Sequence, residues 1–106
     1  MSLLDVAPII EQMLLISDNV SDLNFSCGQK PQVEISGSLY SSTPLGIGKL
    51  TGYQTEMIAM SILRDNSEAA AQLAKLGTAD LSYALPGRCR FRVNIFQQRG
   101  SYSIVM

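Results

Sequence analysis

The residues of this sequence with the clearest chemical potential are arginines near its end. Four of the eight basic residues lie in the segment GRCRFRVNIFQQRG, and no acidic residue follows Asp80. They are Arg88, Arg90, Arg92 and Arg99. A guanidinium stays charged and holds carboxylate or phosphate oxygens through paired hydrogen bonds. The segment is therefore a candidate anion-binding element in a chain whose net charge is -1.

Alternation along the segment predicts which side chains share a face. Successive side chains of a strand point to opposite faces, so the three arginines of RCRFR lie together with Asn94. The opposite face carries Cys89, Phe91, Val93 and Ile95 and is expected to meet helices. Neighbouring guanidiniums repel one another unless an anion lies against them. That anion is a carboxylate of the chain itself, such as Asp80 or Asp22, a carboxylate of a partner, or a phosphate.

Composition excludes several classes of protein. The 106 residues suit a single domain with one core. Histidine is absent, which excludes histidine-based catalysis and the usual zinc sites, and we expect no metal. We expect no nucleic-acid partner, because the net charge is negative and Phe91 lies opposite the arginines, where it cannot stack bases beside them. Cys27 and Cys89 are expected to be reduced thiols of a cytoplasmic protein.

The chain lacks a phosphate-binding loop of the form GxxxxGK followed by Ser or Thr. GIGK at 46–49 resembles its end, but Leu50 follows the lysine and no apolar strand precedes the glycines. We therefore expect neither a catalytic residue nor a cofactor in this chain. Its arginines can still serve a phosphate that is held elsewhere.

Periodicity predicts the elements of the first half. A helix over 5–16 has Asp5 as its N-cap and a buried stripe of Val6, Ile9, Met13 and Ile16. A strand follows in DLNFSCG, with Leu23, Phe25 and Cys27 buried. QVEISGSLYSS then predicts a hairpin with a turn at Gly37-Ser38.

The second half predicts two helices and three strands. Thr51 and Gln54 form a capping box before a helix that buries Ile58, Ala59, Ile62 and Leu63. A short third helix is expected to be capped by Ser67 and to end at Gly77. Three strands joined by turns, DLSYAL, the arginine segment and SYSIVM, predict an antiparallel meander. The order α, three β, two α, three β indicates an α+β domain with helices packed against one sheet of about six short strands.

These motifs resemble a known family. SDLNFSCG, ISGSL and DLSYALPGRCRFRVNIFQQRGSYSIV are similar to the N-terminal domain of type IV pilus retraction (twitching-motility) ATPases, within the type II/IV secretion ATPase family. The resemblance covers nearly the whole chain. It implies that residues 1–106 are a PAS-like domain, an N-terminal fragment that precedes a RecA-like motor domain. That motor domain would bind ATP and Mg in the full-length protein.

The resemblance also implies roles for single residues. In such hexamers, arginines of the N-terminal domain approach nucleotide phosphates bound by a neighbouring subunit. Arg92 is the best match to such a phosphate-directed arginine, while Arg90 and Arg99 match positions at the interface or the nucleotide. Asp22, Asn24 and Asn94 are assigned interface or structural roles. Two departures from the family pattern are Asn24 in place of a histidine and Glu34 in place of an arginine.

The implied partners are the chain's own motor domain, neighbouring subunits of a homo-hexamer, and a pilus or secretion platform protein of the inner membrane. The implied location is the cytoplasm, peripheral to that membrane. A rival interpretation is a stand-alone PAS-like module for ligand sensing or protein interaction. That module would need an apolar pocket between its sheet and its helices.

Overall fold

The elements follow the predicted order of one helix, three strands, two helices and three strands. The computed structural model describes residues 5–64 and 66–106. The helices are α1 (Val6–Leu14), α2 (Gly52–Leu63) and α3 (Ser67–Leu76), with a short 3-10 turn at Pro44–Gly46. The strands are β1 (Val20–Phe25), β2 (Gln32–Ile35), β3 (Ser38–Ser41), β4 (Thr78–Leu85), β5 (Cys89–Gln98) and β6 (Ser101–Val105). No helix among the described residues is both long enough and apolar enough to cross a membrane.

The six strands form one antiparallel sheet in the order β3-β2-β1-β6-β5-β4. Its centre joins the first strand to the last, where Asn24 pairs with Val105 and Phe25 with Ile104. Leu23 and Met106 extend this pairing by exchanging two backbone hydrogen bonds of 2.9 Å. The α+β prediction is confirmed, and the arginine strand β5 lies between β6 and β4.

One hydrophobic core lies between the helices and one face of the sheet. All three helices contribute to it, and the helix-facing residues in the middle of β5 and at the paired ends of β1 and β6 are fully buried. The largest of these strand residues are Leu23, Phe25, Val93, Ile95 and Ile104. Because the helices cover only this face, the opposite face of the sheet remains open, and that is where the polar residues of each strand lie.

The N-caps of α1 and α2 are the predicted residues, whereas the N-cap of α3 differs from the prediction. Asp5 accepts a hydrogen bond from the Ala7 amide, and Thr51 and Gln54 form the predicted capping box. The third helix is capped by Asn66, whose Oδ1 accepts from the Ala69 amide at 2.9 Å, and not by Ser67 as predicted. An amide oxygen one residue earlier satisfies the same free backbone donors, so the helix simply begins at Ser67 itself.

The other differences from the predicted elements lie at the ends of α1 and β1 and at the β2–β3 turn. Helix α1 ends at Leu14, so Ile16 lies beyond the buried stripe and is 49% exposed. Strand β1 ends at Phe25, which leaves Cys27 exposed in the following turn. The β2–β3 turn is Ser36-Gly37, one residue earlier than predicted. Both of its residues have positive φ, as a two-residue hairpin turn requires.

Candidate functional site

Strand β5 displays its arginines on the open face of the sheet. Val93 and Ile95 are fully buried, whereas Arg90 and Arg92 are exposed. The predicted alternation is therefore confirmed from residue 90 onwards. Arg88 differs, because β5 begins at Cys89 and Arg88 lies in the preceding turn. The face thus carries two adjacent guanidiniums, with α-carbons about 7 Å apart, and not the three that were predicted.

The surroundings of these two arginines are small and uncharged. On the neighbouring strand β4, Ser82 lies opposite Arg92 and Ala84 lies opposite Arg90. Both neighbours are exposed, and neither carries a formal charge. Small partners leave room above the strand for an incoming group, and they leave the positive charge uncompensated.

The acidic residues of the open face do not neutralise the arginines. Asp80 accepts a hydrogen bond of 3.0 Å from Nδ2 of Asn94, its cross-strand partner. Asp22 belongs to the same row as Arg92 but two strands away, about 10 Å across the sheet. Within residues 5–64 and 66–106, the side chains of Arg90 and Arg92 form neither an ion pair nor a hydrogen bond.

A row of side chains crosses the open face next to the arginines. Its members are Gln32, Asn24, Val105, Asn94 and Asp80, paired from β2 to β4. Oδ1 of Asn24 is buried and has no hydrogen-bond partner. A buried acceptor without a donor costs free energy of folding. The Asn24 amide oxygen therefore lacks a hydrogen-bond donor that a partner of this face could supply. The structure brings Asn24 and Asn94 into one row, with Asp22 one step away.

The open face also carries a pair of carboxylates. Asp22 on β1 lies directly opposite Glu34 on β2, and both are half-buried. Ser21 donates its hydroxyl to Oε2 of Glu34 at 3.3 Å. The face thus carries two carboxylates on β1 and β2 and two guanidiniums on β5, with Asp80 beyond them on the edge strand β4.

Arg99 is separated from the other two arginines. It occupies the β5–β6 turn, with positive φ values at Arg99 and the following Gly100. Seven extended residues place it about 23 Å from Arg92, beyond the combined reach of two arginine side chains. The structure therefore groups Arg90 with Arg92 and puts Arg99 at the opposite end of the strand.

One residue of this face escaped the sequence reasoning. Phe96 has the same parity as Arg92 and Asn94 and is half-buried on the open side of the sheet, opposite Ser103 and Thr78. Phe91, the aromatic residue that the sequence places on the opposite face, does pack against the core. Counting parity two residues further along the strand would have found Phe96.

A cleft on the other side of the sheet surrounds Tyr83. It has a volume of about 490 Å³ and is bounded by the start of α1, the end of α2 and strand β4. Burial and the nearby carboxylates of Asp5 and Glu11 raise the pKa of Tyr83 above its ordinary value of 10.0, against the opposing effect of Arg64. The cleft lies at the rim, whereas fully buried side chains fill the space between sheet and helices.

Comparison with known proteins identifies structural relatives. No protein family and no curated protein matches the chain. Among solved structures, the pilus retraction motor PilT with bound ADP matches 96% of this chain at 28% identity, with a TM-score of 0.80. The ATPase DotB of Legionella pneumophila matches 99% at 24% identity and a TM-score of 0.70, and DotB of Yersinia pseudotuberculosis 89% at 21% and 0.64.

The matched region is only part of each relative. This chain spans 28% of the PilT chain and 29% and 27% of the two DotB chains, at their N-terminal portion. The DotB likenesses, below 25% identity, support the fold alone. The resemblance noted in the sequence is confirmed: the structural neighbours of this chain are the N-terminal portions of PilT and DotB ATPases.

Proposed function

We propose that this chain is the N-terminal regulatory and assembly domain of a hexameric ATPase that powers type IV pilus retraction or type II secretion. In this proposal Arg92, assisted by Arg90, contacts the phosphates of ATP bound by the motor domain of a neighbouring subunit. The observation that carries the proposal is the pair of exposed guanidiniums on an open sheet face, without a counterion among the described residues.

The chemistry of the pair suits a phosphate. Two guanidiniums on α-carbons about 7 Å apart can reach the same polyphosphate, whose negative charge is spread over several oxygens. Arginine holds such oxygens in a planar fork, and it is charged at every physiological pH. The strand is anchored from below by Val93 and Ile95, so the arginines are positioned by a rigid element.

The similarity to PilT supports the choice of nucleotide. That structure contains ADP, and it is about three and a half times as long as the region matched here, which follows from the 28% coverage. The nucleotide, with Mg, would lie in a motor domain outside the 106 residues of this chain. The arginines then act across a subunit boundary, where they sense the nucleotide and couple it to movement of the domain.

The proposal also implies three kinds of partner. They are the motor domain of the same polypeptide, the neighbouring subunits of the ring, and a platform protein at the cytoplasmic side of the inner membrane. The charges of the open face also restrict which surface can dock on it. A surface that offers phosphate to Arg92 must present positive or neutral groups to Asp22 and Glu34.

The test is turnover of ATP by the full-length protein. We expect Arg92→Ala to lower kcat by roughly tenfold or more, because arginines that reach phosphoryl groups contribute orders of magnitude in other nucleotide hydrolases. Arg92→Lys should recover only part of this loss, since lysine keeps the charge but lacks the fork. Pilus retraction should fall in parallel.

Arg88→Ala provides the matched control. It removes the same charge four residues away, in an exposed turn outside the open face, and should leave kcat unchanged. Equal turnover for Arg92→Ala and wild type, with the hexamer intact, would contradict the assigned role.

A further inference from the structure

A second polar cleft lies at the end of the sheet opposite to Arg90. It has a volume of about 540 Å³ and is formed by the residues after β1 together with the β5–β6 hairpin. Every residue that lines it is polar and none is acidic: Ser26, Cys27, Gln29, Gln98, Arg99, Ser101 and Ser103. A cleft of this size is large enough for a small phosphorylated molecule.

Ser103 gives the cleft a hydroxyl that reaches its open space. The residue is only 6% exposed, although serine is polar. Its hydroxyl makes no hydrogen bond with the part of the chain that the structure describes. The hydroxyl is therefore free to donate to a ligand oxygen in the cleft.

Arg99 is held at the cleft by an unfavourable backbone conformation. Its φ is 53°, and Gly100 follows with a φ of 79°, which is the geometry of a two-residue hairpin turn. Asparagine or glycine suits the first position of such a turn much better than arginine does. The guanidinium therefore stands over the cleft at a cost in backbone strain, and strained positions of this kind cluster at ligand sites.

The start of helix α2 adjoins the same cleft. A β-carbon built on Gly52 would lie 3.6 Å from Oγ of Ser101 and 3.9 Å from Sγ of Cys27, so the first residue of the helix touches the lining. Thr51 caps the Gln54 amide. The backbone N–H groups of Gly52 and Tyr53 belong to the first turn of the helix and therefore have no acceptor within it. The positive end of the helix dipole favours an anion at this position.

We propose that this cleft binds a phosphate group, with Arg99, Ser101 and Ser103 as its donors. The inference does not rest on the proposed ATPase function, because the cleft is about 23 Å from Arg92 along the strand. A guanidinium, hydroxyl donors and a helix N-terminus, with no carboxylate in the lining, are the combination that phosphate oxygens prefer.

The experiment is a titration of the isotopically labelled chain followed by NMR. Inorganic phosphate is the first probe and adenosine monophosphate the second. We expect saturable shifts of the backbone amides of Gly52, Ser101 and Ser103, with little change at Arg90 and Arg92. Tighter binding of the nucleotide would identify a phosphorylated small molecule, and tighter binding of inorganic phosphate would identify the free ion.

Arg99→Asn separates binding from folding. Asparagine suits the left-handed turn, so the variant should fold at least as well as wild type, yet its phosphate affinity should fall roughly tenfold or more. Ser103→Ala should also weaken binding, whereas Arg88→Asn, which loses the same charge elsewhere, should not. The proposal is overturned if phosphate causes no saturable shift at the cleft, or if Arg99→Asn and Arg88→Asn bind it equally.

Discussion

At the scale of single residues, Arg90 and Arg92 stand out because two like charges persist side by side without a counterion among the described residues. Exposed ion pairs contribute only about 0–1 kcal/mol, so the fold gains little from neutralising them and loses little by leaving them hydrated. Their free state is therefore compatible with a stable domain. Their charge remains available to an anion that arrives from another domain.

Tyr83 provides a prediction at this scale. Burial and the nearby carboxylates raise its pKa above 10.0 in the folded chain, so the folded state holds the phenolic proton more tightly than the unfolded state does. The corresponding stability is complete below pH 10.0 and is lost as the pH rises through the folded pKa. In a phenolate absorbance titration, Tyr83→Phe should remove a component whose midpoint lies above 10.0.

The same variant should show a shallower fall of the free energy of unfolding in this alkaline range than wild type. Loss of a component at or below 10.0 in Tyr83→Phe would contradict the account.

At the scale of elements, the open face carries carboxylates on β1 and β2 and guanidiniums on β5, while Asp80 on the edge strand β4 is bonded to Asn94. The β1–β2 pair places Asp22 directly opposite Glu34, and like charges in that position destabilise a strand pair. We infer that this unfavourable pair is retained because the surface binds a partner. In the proposed assembly, a partner of this face would have to complement both the carboxylates of β1–β2 and the arginines of β5.

Glu34→Lys tests this reading of the β1–β2 pair. It converts a like-charge pair into an opposite-charge pair, and we expect the free energy of unfolding to rise by about 0.2–1 kcal/mol in low salt. Urea unfolding measures the change, and added salt should reduce it. In an Asp22→Asn background the gain should largely disappear. An equal gain in both backgrounds would show that the two carboxylates do not interact.

The elements could be predicted from the sequence wherever a local rule applies. The buried stripes of α2, the capping box at Thr51 and the alternation of β5 depend on residues a few positions apart. The ends of elements depend on competing local partners, which is why Asn66 caps α3 in place of Ser67. The cleft at Arg99 could not be predicted, because it combines the end of β1, the β5–β6 turn and the start of α2.

At the scale of the whole molecule, a single core on one side of the sheet leaves the other side free for binding. Ile95, on the buried face of the arginine strand, supports this arrangement. We expect Ile95→Ala to lower the free energy of unfolding by about 2–5 kcal/mol, and Ile95→Val by about 1 kcal/mol. Leu39→Ala, on the exposed edge strand β3, should change it by less than about 0.5 kcal/mol.

Urea unfolding of the three variants gives these values. Similar losses for Ile95→Ala and Leu39→Ala would contradict the one-sided core. Losses in the predicted order for the Ile95 variants would show that the packing beneath Arg90 and Arg92 stabilises the whole domain.

The central claim is that Arg92 meets a nucleotide phosphate held by a neighbouring subunit. The measurement that tests it most directly is a structure of the full-length assembly with a non-hydrolysable ATP analogue. The account predicts a guanidinium nitrogen of Arg92 within about 3 Å of a β- or γ-phosphate oxygen bound by the adjacent subunit. Arg92 paired with a carboxylate of the motor domain, or left in solvent away from the nucleotide, would contradict it.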